Sequence, residues 1–198
     1  MTTPHSSRST FLGTWIYWTA GAFVFPFAGL FGTAVAGRVD SPGAALIGGL
    51  AAGLAIGAGQ SLVSRRRLNP LKWVPATAAG MGVGLLLGAS VVDYETSLSD
   101  LALMGALTGA AIGLAQTWAM PSRARGRWIW AAAMPLLWAL GWTVTTLVGV
   151  DVEKQYTHFG ITGALTFSAI SGLLLHVLLP YRRRIDPTVE AVPEASSR

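Results

Sequence analysis

Residues 46–62 read LIGGLAAGLAIGAGQSL, and residues 102–118 read ALMGALTGAAIGLAQTW. The second stretch lies over the first at a constant shift of 56, pairing Gly49 with Gly105, Gly53 with Gly109, Gly57 with Gly113 and Gln60 with Gln116. Neither carries a charge. Glycines at i, i+4 and i+8 share one helix face, because an α-helix turns once every ~3.6 residues. An uncharged helix lined with glycine on one side suits a bilayer. Small residues there let backbones approach and so replace the hydrophobic drive that lipid removes. Gly80, Gly84 and Gly88 repeat the spacing between the two stretches. The bland reading of these faces is helix packing, the functional one an interface that slides or opens; packing is preferred.

Working outward, the positions of Asp, Glu, Lys and Arg leave uncharged runs at 9–37, 41–64, 73–92, 101–122, 128–150 and 155–181. About 20 apolar residues in a helix cover the hydrocarbon core of a membrane. The runs therefore predict six transmembrane helices, at approximately 11–36, 43–63, 73–92, 101–119, 128–149 and 159–180. Pro26, Pro75 and Pro135 do not defeat this, since neighbouring helices can satisfy the freed backbone groups. Composition agrees: 52% of the 198 residues are hydrophobic, 12% are charged, and mean hydropathy is +0.52. That excludes an ordinary soluble enzyme and a disordered tail protein. With no cysteine, a disulfide-stapled domain and a Cys-based metal site are excluded as well. Arg8 and the Ala34-Val35-Ala36 sequence resemble signal-peptide features, but the apolar run is about twice a signal core, and the segment is expected to be retained.

Charge sets the orientation. With the N-terminus inside, Arg8, Arg65, Arg66, Arg67, Lys72, Arg123, Arg125, Arg127, Arg182, Arg183, Arg184 and Arg198 are cytoplasmic, 12 of the 14 basic residues. Only Arg38 and Lys154 lie outside, with six acids: Asp40, Asp93, Glu95, Asp100, Asp151 and Glu153. The positive-inside rule thus predicts N-in, C-in, in a bacterial cytoplasmic membrane. Trp15, Trp18, Trp73, Trp118, Trp128 and Trp130 fall near cytoplasmic helix ends and are expected as interfacial indoles. The domain reading is a tail over 1–10, one membrane domain over 11–180, and a basic then disordered cytoplasmic tail over 181–198.

The odd-numbered helices form a second series. Trp15, Trp73 and Trp128 open them, and Val39-Asp40, Val92-Asp93 and Val150-Asp151 close them. The repeating unit is then a two-helix hairpin, at 11–63, 73–119 and 128–180. Residues 163–166 repeat the GALT of 105–108, although Leu174 stands where the glutamine would be. Three such hairpins can close into a pseudo-threefold ring about the membrane normal.

Gln60 and Gln116 are the most informative polar residues in the spans. One reading makes them interhelical glue; the other makes them a cytoplasmic vestibule, with His176 partly replacing the absent third glutamine. Asp40, Asp93 and Asp151 would form an outer acidic mouth, or simply cap and solvate their turns. Ser41-Pro42 reads as a helix start, and Asp100 as a second cap. The clusters Arg65–Arg67, Arg123–Arg127 and Arg182–Arg184 sit where anionic headgroups would anchor the helix ends. Their loops are too short to hold a nucleic-acid platform. No span contains an ionised residue, and neither a metal cluster, a nucleophile motif nor a phosphate loop appears, so no cofactor is expected.

At Gly57-Ala58-Gly59-Gln60 and Gly113-Leu114-Ala115-Gln116, the first followed by Arg65–Arg67 and Trp73, the chain resembles a loose group of uncharacterised bacterial polytopic membrane proteins. These share G-x-x-Q helix ends, basic turns and tryptophan-led helices. The resemblance covers about residues 44–148 and implies no activity. The expected function is a non-enzymatic structural or accessory partner in a membrane complex, associating with another membrane protein or with itself. The alternative is a channel or facilitator for a neutral or apolar solute along the threefold axis, and the third reading is a lipid-modifying enzyme.

Overall fold

A computed structural model describes the backbone of residues 5–179 and the side chains of residues 11–179. The side chain of Arg8 and the residues Arg182, Arg183, Arg184 and Arg198, with the tail they belong to, lie outside the described residues. The described elements are α1 (His5–Ala20), α2 (Val24–Ala36), α3 (Pro42–Val63), α4 (Pro70–Val91), α5 (Leu98–Ala119), α6 (Arg127–Leu147) and α7 (Ile161–Leu178). There is no strand among the described residues.

α1 and α2 are two parts of one span, joined by a 3-10 turn over Gly21–Phe23. The break has a local cause: Pro26 has no N–H to give the carbonyl of Ala22, so the regular ladder is interrupted there. With α1 and α2 counted together, six helical spans are long and apolar enough to cross a membrane. Their outer faces carry large exposed apolar side chains, among them Phe27 (71% exposed), Leu136 (73%) and Val177 (71%). An apolar band of this extent belongs against lipid or a partner rather than water.

Capping residues set the helix starts. Ser41 accepts from the Ala44 N–H at 3.3 Å, and Pro42 fills the first helical position, where a missing N–H costs nothing. Asn69 accepts from Leu71 N–H at 3.0 Å ahead of Pro70, so α4 begins before the expected residue 73. α5 also starts early, at Leu98. Its cap is Ser97, which accepts from the Asp100 N–H at 3.3 Å; Asp100, expected as the cap, instead accepts from the Ser97 hydroxyl.

The spans form a ring in chain order, each packed against the next, and α7 returns to α1. Glycine brings the backbones together. A Cβ on Gly53 would lie 2.7 Å from Ala78 Cα in α4, one on Gly84 would lie 2.8 Å from Thr108 Cα in α5, and one on Gly113 would lie 2.7 Å from Met134 Cβ in α6. Gly49 and Gly57 face α4, Gly80 and Gly88 face α5, and Gly105 and Gly109 face α6. Each glycine face therefore serves the helix that follows it.

Side chains fill the centre. Trp18 and Trp73 each meet Trp130 edge-on, at centroid distances of 6.4 and 6.0 Å. Deeper towards the other end, Phe25, Trp138, Phe159 and Phe167 pack on one another, Trp138 and Phe159 at 4.8 Å. These contacts join α1, α2, α4 and α6 across the ring, between spans that are not ring neighbours. Trp18, Trp73 and Trp130, expected at the interface, are core residues with 3%, 0% and 0% exposure. Trp118 and Trp128 do stand exposed.

Candidate functional site

The two glutamines meet inside the bundle, at 5% and 1% exposure. Gln116 donates through Nε2 to Gln60 Oε1 at 3.3 Å and to Thr77 Oγ1 at 2.9 Å. Each carbonyl oxygen also takes an indole N–H from the next helix: Trp73 donates to Gln60 and Trp130 to Gln116, both at 2.9 Å. Thr77 completes the set by donating to the Trp73 carbonyl at 2.8 Å. An indole has a donor and no acceptor, and an amide oxygen is the acceptor it lacks. Buried polar groups that bond one another in this way fix helix register. Trp73, Trp130 and Thr77 were not singled out from the sequence as partners. The signal was the recurrence of a tryptophan 13 or 14 residues after each glutamine.

His176 does not join them. Its ring lies edge-on to Phe11 at 4.5 Å, on the α1 side of α7. Leu174 is partly buried against the core. Between α7 and α1, Trp18 donates to Ser171 Oγ at 3.0 Å and Trp15 donates to the Ala169 carbonyl at 2.9 Å.

At the acidic end Asp40, Asp93 and Asp151 are all exposed, and Asp151 pairs with Lys154 at 3.3 Å. Gln155 ties the turns there together. Its backbone carbonyl accepts from Val39 N–H at 3.1 Å, and its side-chain amide donates to the Tyr94 carbonyl at 2.8 Å. Arg38 donates to the Glu153 carbonyl at 2.9 Å and to Gln155 Oε1 at 3.2 Å. Beyond Gln155 the chain turns inward. Thr157 packs on Gly32 and Gly48, His158 on Gly29, and Phe159 on Gly141. Gly29 lies seven residues, or ~10 Å of helix, in from the end of α2. Burial pushes the His158 imidazole down to about 4, against a weaker upward pull from its hydrogen bond to the Phe159 carbonyl.

The basic end is open where the acidic end is closed. A groove of about 1320 Å³ lies between the α3–α4 and α5–α6 turns. Arg65, Arg66, Arg67, Lys72, Arg123 and Arg127 line it, together with apolar Leu62, Val74 and Trp118. Arg67 holds the turns in place: its guanidinium donates to the Leu175 carbonyl at 2.9 Å and to the Leu179 carbonyl, at the C-terminus of α7 where a cation meets the negative end of the helix dipole. Burial and the nearby Arg123 lower its pKa from the ordinary arginine value. Arg123 in turn donates to the Arg67 carbonyl at 3.2 Å, and the Arg125 N–H to the Leu178 carbonyl at 3.0 Å. Arg65 lies over the Tyr17 ring at 4.9 Å. No carboxylate pairs with these cations among the described residues.

Of the residues proposed from the sequence, the structure thus unites Gln60 with Gln116 and gathers Arg65, Arg66, Arg67, Arg123 and Arg127 around one groove, with Arg125 outside it. It leaves His176 apart. No group of three or more potential metal ligands occurs among the described residues. Comparison with family models, with curated proteins and with solved structures finds no match for the chain.

Proposed function

We propose that the chain is a non-enzymatic, multi-pass protein of a bacterial cytoplasmic membrane, acting as a structural or accessory partner in a membrane complex. Its basic end would face the cytoplasm, following the positive-inside rule, and its three hairpins would be divergent copies. The observation that supports this reading is the filled centre. Trp73, Trp130, Trp138, Phe25, Phe159 and Phe167 are each at most 2% exposed, and the glutamine amides bond to neighbours instead of facing a channel. A bundle fixed by small-residue faces and a bonded interior is suited to presenting its outer surface to a partner.

Gentle extraction from native membranes tests this: a stoichiometric partner is expected, with no solute flux after reconstitution into vesicles. A solitary protein whose vesicles leak one neutral solute, and stop leaking in the Gln60→Leu, Gln116→Leu double variant, would put the facilitator in its place. For orientation, a cysteine at exposed Ser99 should label from outside and one at exposed Ser122 from inside. Labelling of both from one side would refute the alternation of spans.

A further inference from the structure

We infer that the groove at the basic end is a discrete binding site for one phosphate-bearing anionic lipid. Its headgroup would lie among Arg65, Arg66, Lys72, Arg123 and Arg127, and its acyl chains along Leu62 and Trp118. This deepens the membrane reading and rests on it. The cations supply the first reason. They converge from two turns without a carboxylate to balance them among the described residues. The described acids sit at the other end of helices such as the 22-residue α4, about 33 Å away along its axis. At that distance the acids cannot pair with the groove's cations, and each set of charges is screened within its own aqueous layer. A phosphate diester brings the missing charge and oxygens that guanidinium groups can bind in pairs.

The geometry is built, and that is the second reason. Arg65 and Arg66 occupy the left-handed region at φ 53° and 66°, a backbone that L-residues rarely hold unless their surroundings fix it. Arg67 anchors this turn to the end of α7, and Arg123 bonds its carbonyl, so the two basic turns are held at a set distance. The third reason separates a lipid from a soluble anion. Leu62 and Trp118 flank the cations at 84% and 77% exposure, offering an apolar wall that free phosphate cannot use. Diffuse attraction to a charged surface, by contrast, would draw equally on Arg125, which lies at the same end but outside the groove.

The full chain, purified in mild detergent, should retain one phosphatidylglycerol per protein in native mass spectrometry, in preference to phosphatidylcholine. Each cation near an anionic headgroup is worth roughly fivefold in affinity. The Arg66→Gln, Lys72→Gln, Arg127→Gln variant should therefore bind on the order of a hundredfold more weakly at an unchanged unfolding temperature, and Lys72→Gln alone about fivefold. Arg125→Gln should bind like the parent. Leu62→Ser with Trp118→Ser should lose the lipid with every charge in place. Equal loss in Arg125→Gln would reduce the site to surface attraction, displacement by millimolar inorganic phosphate would make the ligand a soluble anion, and undiminished binding in the triple variant would remove the groove from consideration. Each of these leaves the flux and partner measurements untouched, so this site can fail while the accessory reading stands.

Discussion

The seams between α3 and α4 and between α5 and α6 are built alike, whereas the seam between α7 and α1 is built differently. In the first two, three glycines lay one backbone on the next, and a buried glutamine receives an indole N–H from the facing helix. In the third, the indole of Trp18 meets a serine, and Gly172 faces the Trp18 and Trp15 rings instead of a backbone. Between α6 and α7 the chain also leaves the helix, and Thr157, His158 and Phe159 enter the bundle as bent, non-helical chain. Backbone-on-backbone contact leaves little room to adjust. Contact through rings, with one indole on a hydroxyl and one on a carbonyl, can be reset by rotamer changes, so the α7–α1 seam is expected to tolerate substitution better.

Substitution can break the contrast, and the largest effect belongs to a glycine seam. Gly109→Val places a branched side chain against the Met134 carbonyl and the Trp138 Cβ. It should destabilise the bundle by about 3 kcal/mol or more, read as lost thermal stability and aggregation in detergent. Acidification comes next and acts on the segment between α6 and α7. His158 holds about 4 in the fold and 6.5 as its ordinary value, so the unfolded chain takes up the proton first as the pH falls. Stability should decline between about pH 6.5 and about pH 4 by on the order of 3 kcal/mol and then level off, while His158→Gln flattens that slope. Protection factors at residues 155–160, taken relative to the intrinsic exchange rate at each pH, should fall over the same window if the loss is local.

Smaller effects distinguish the seams by their hydrogen bonds. Gln116→Leu leaves the Trp130 N–H without its acceptor and removes two donations, to Gln60 and Thr77. About 2 kcal/mol should be lost, visible as a lower unfolding temperature. Ser171→Ala strands one indole N–H beside a more adaptable interface and should cost about 1 kcal/mol. If Ser171→Ala proved the costlier of the two, the third seam would be the rigid one and the contrast would reverse.

Much of the fold was legible because a bilayer permits few solutions. Uncharged runs of sufficient length located six helical spans, and Ser41-Pro42 gave the start of α3 correctly. The starts of α4 and α5 lie ahead of their apolar runs, since each cap sits in the polar stretch before the run, at Asn69 and at Ser97. The glutamines were legible as a pair, but their partners were not. A tryptophan near a helix end reads as interfacial until packing shows which way it points, and Trp18, Trp73 and Trp130 point inward. His176 went unjoined for a related reason: alignment on GALT at 163–166 fixes a position along α7 and leaves open which neighbour that face meets.

Sequence by itself determined the number of spans, their glycine faces and the separation of basic from acidic turns. These follow from local quantities: hydropathy, helix period and charge position. Only the tertiary structure decided that the glutamines bond to indoles, that residues 157–159 close one end, and that two distant arginine turns share a groove. Such facts depend on which faces meet across the ring, at sequence separations of 56 for Gln60 with Gln116 and 108 for Arg67 with Leu175. Periodicity sets the direction of a side chain around its own helix. Meeting a partner on another helix is a property of packing.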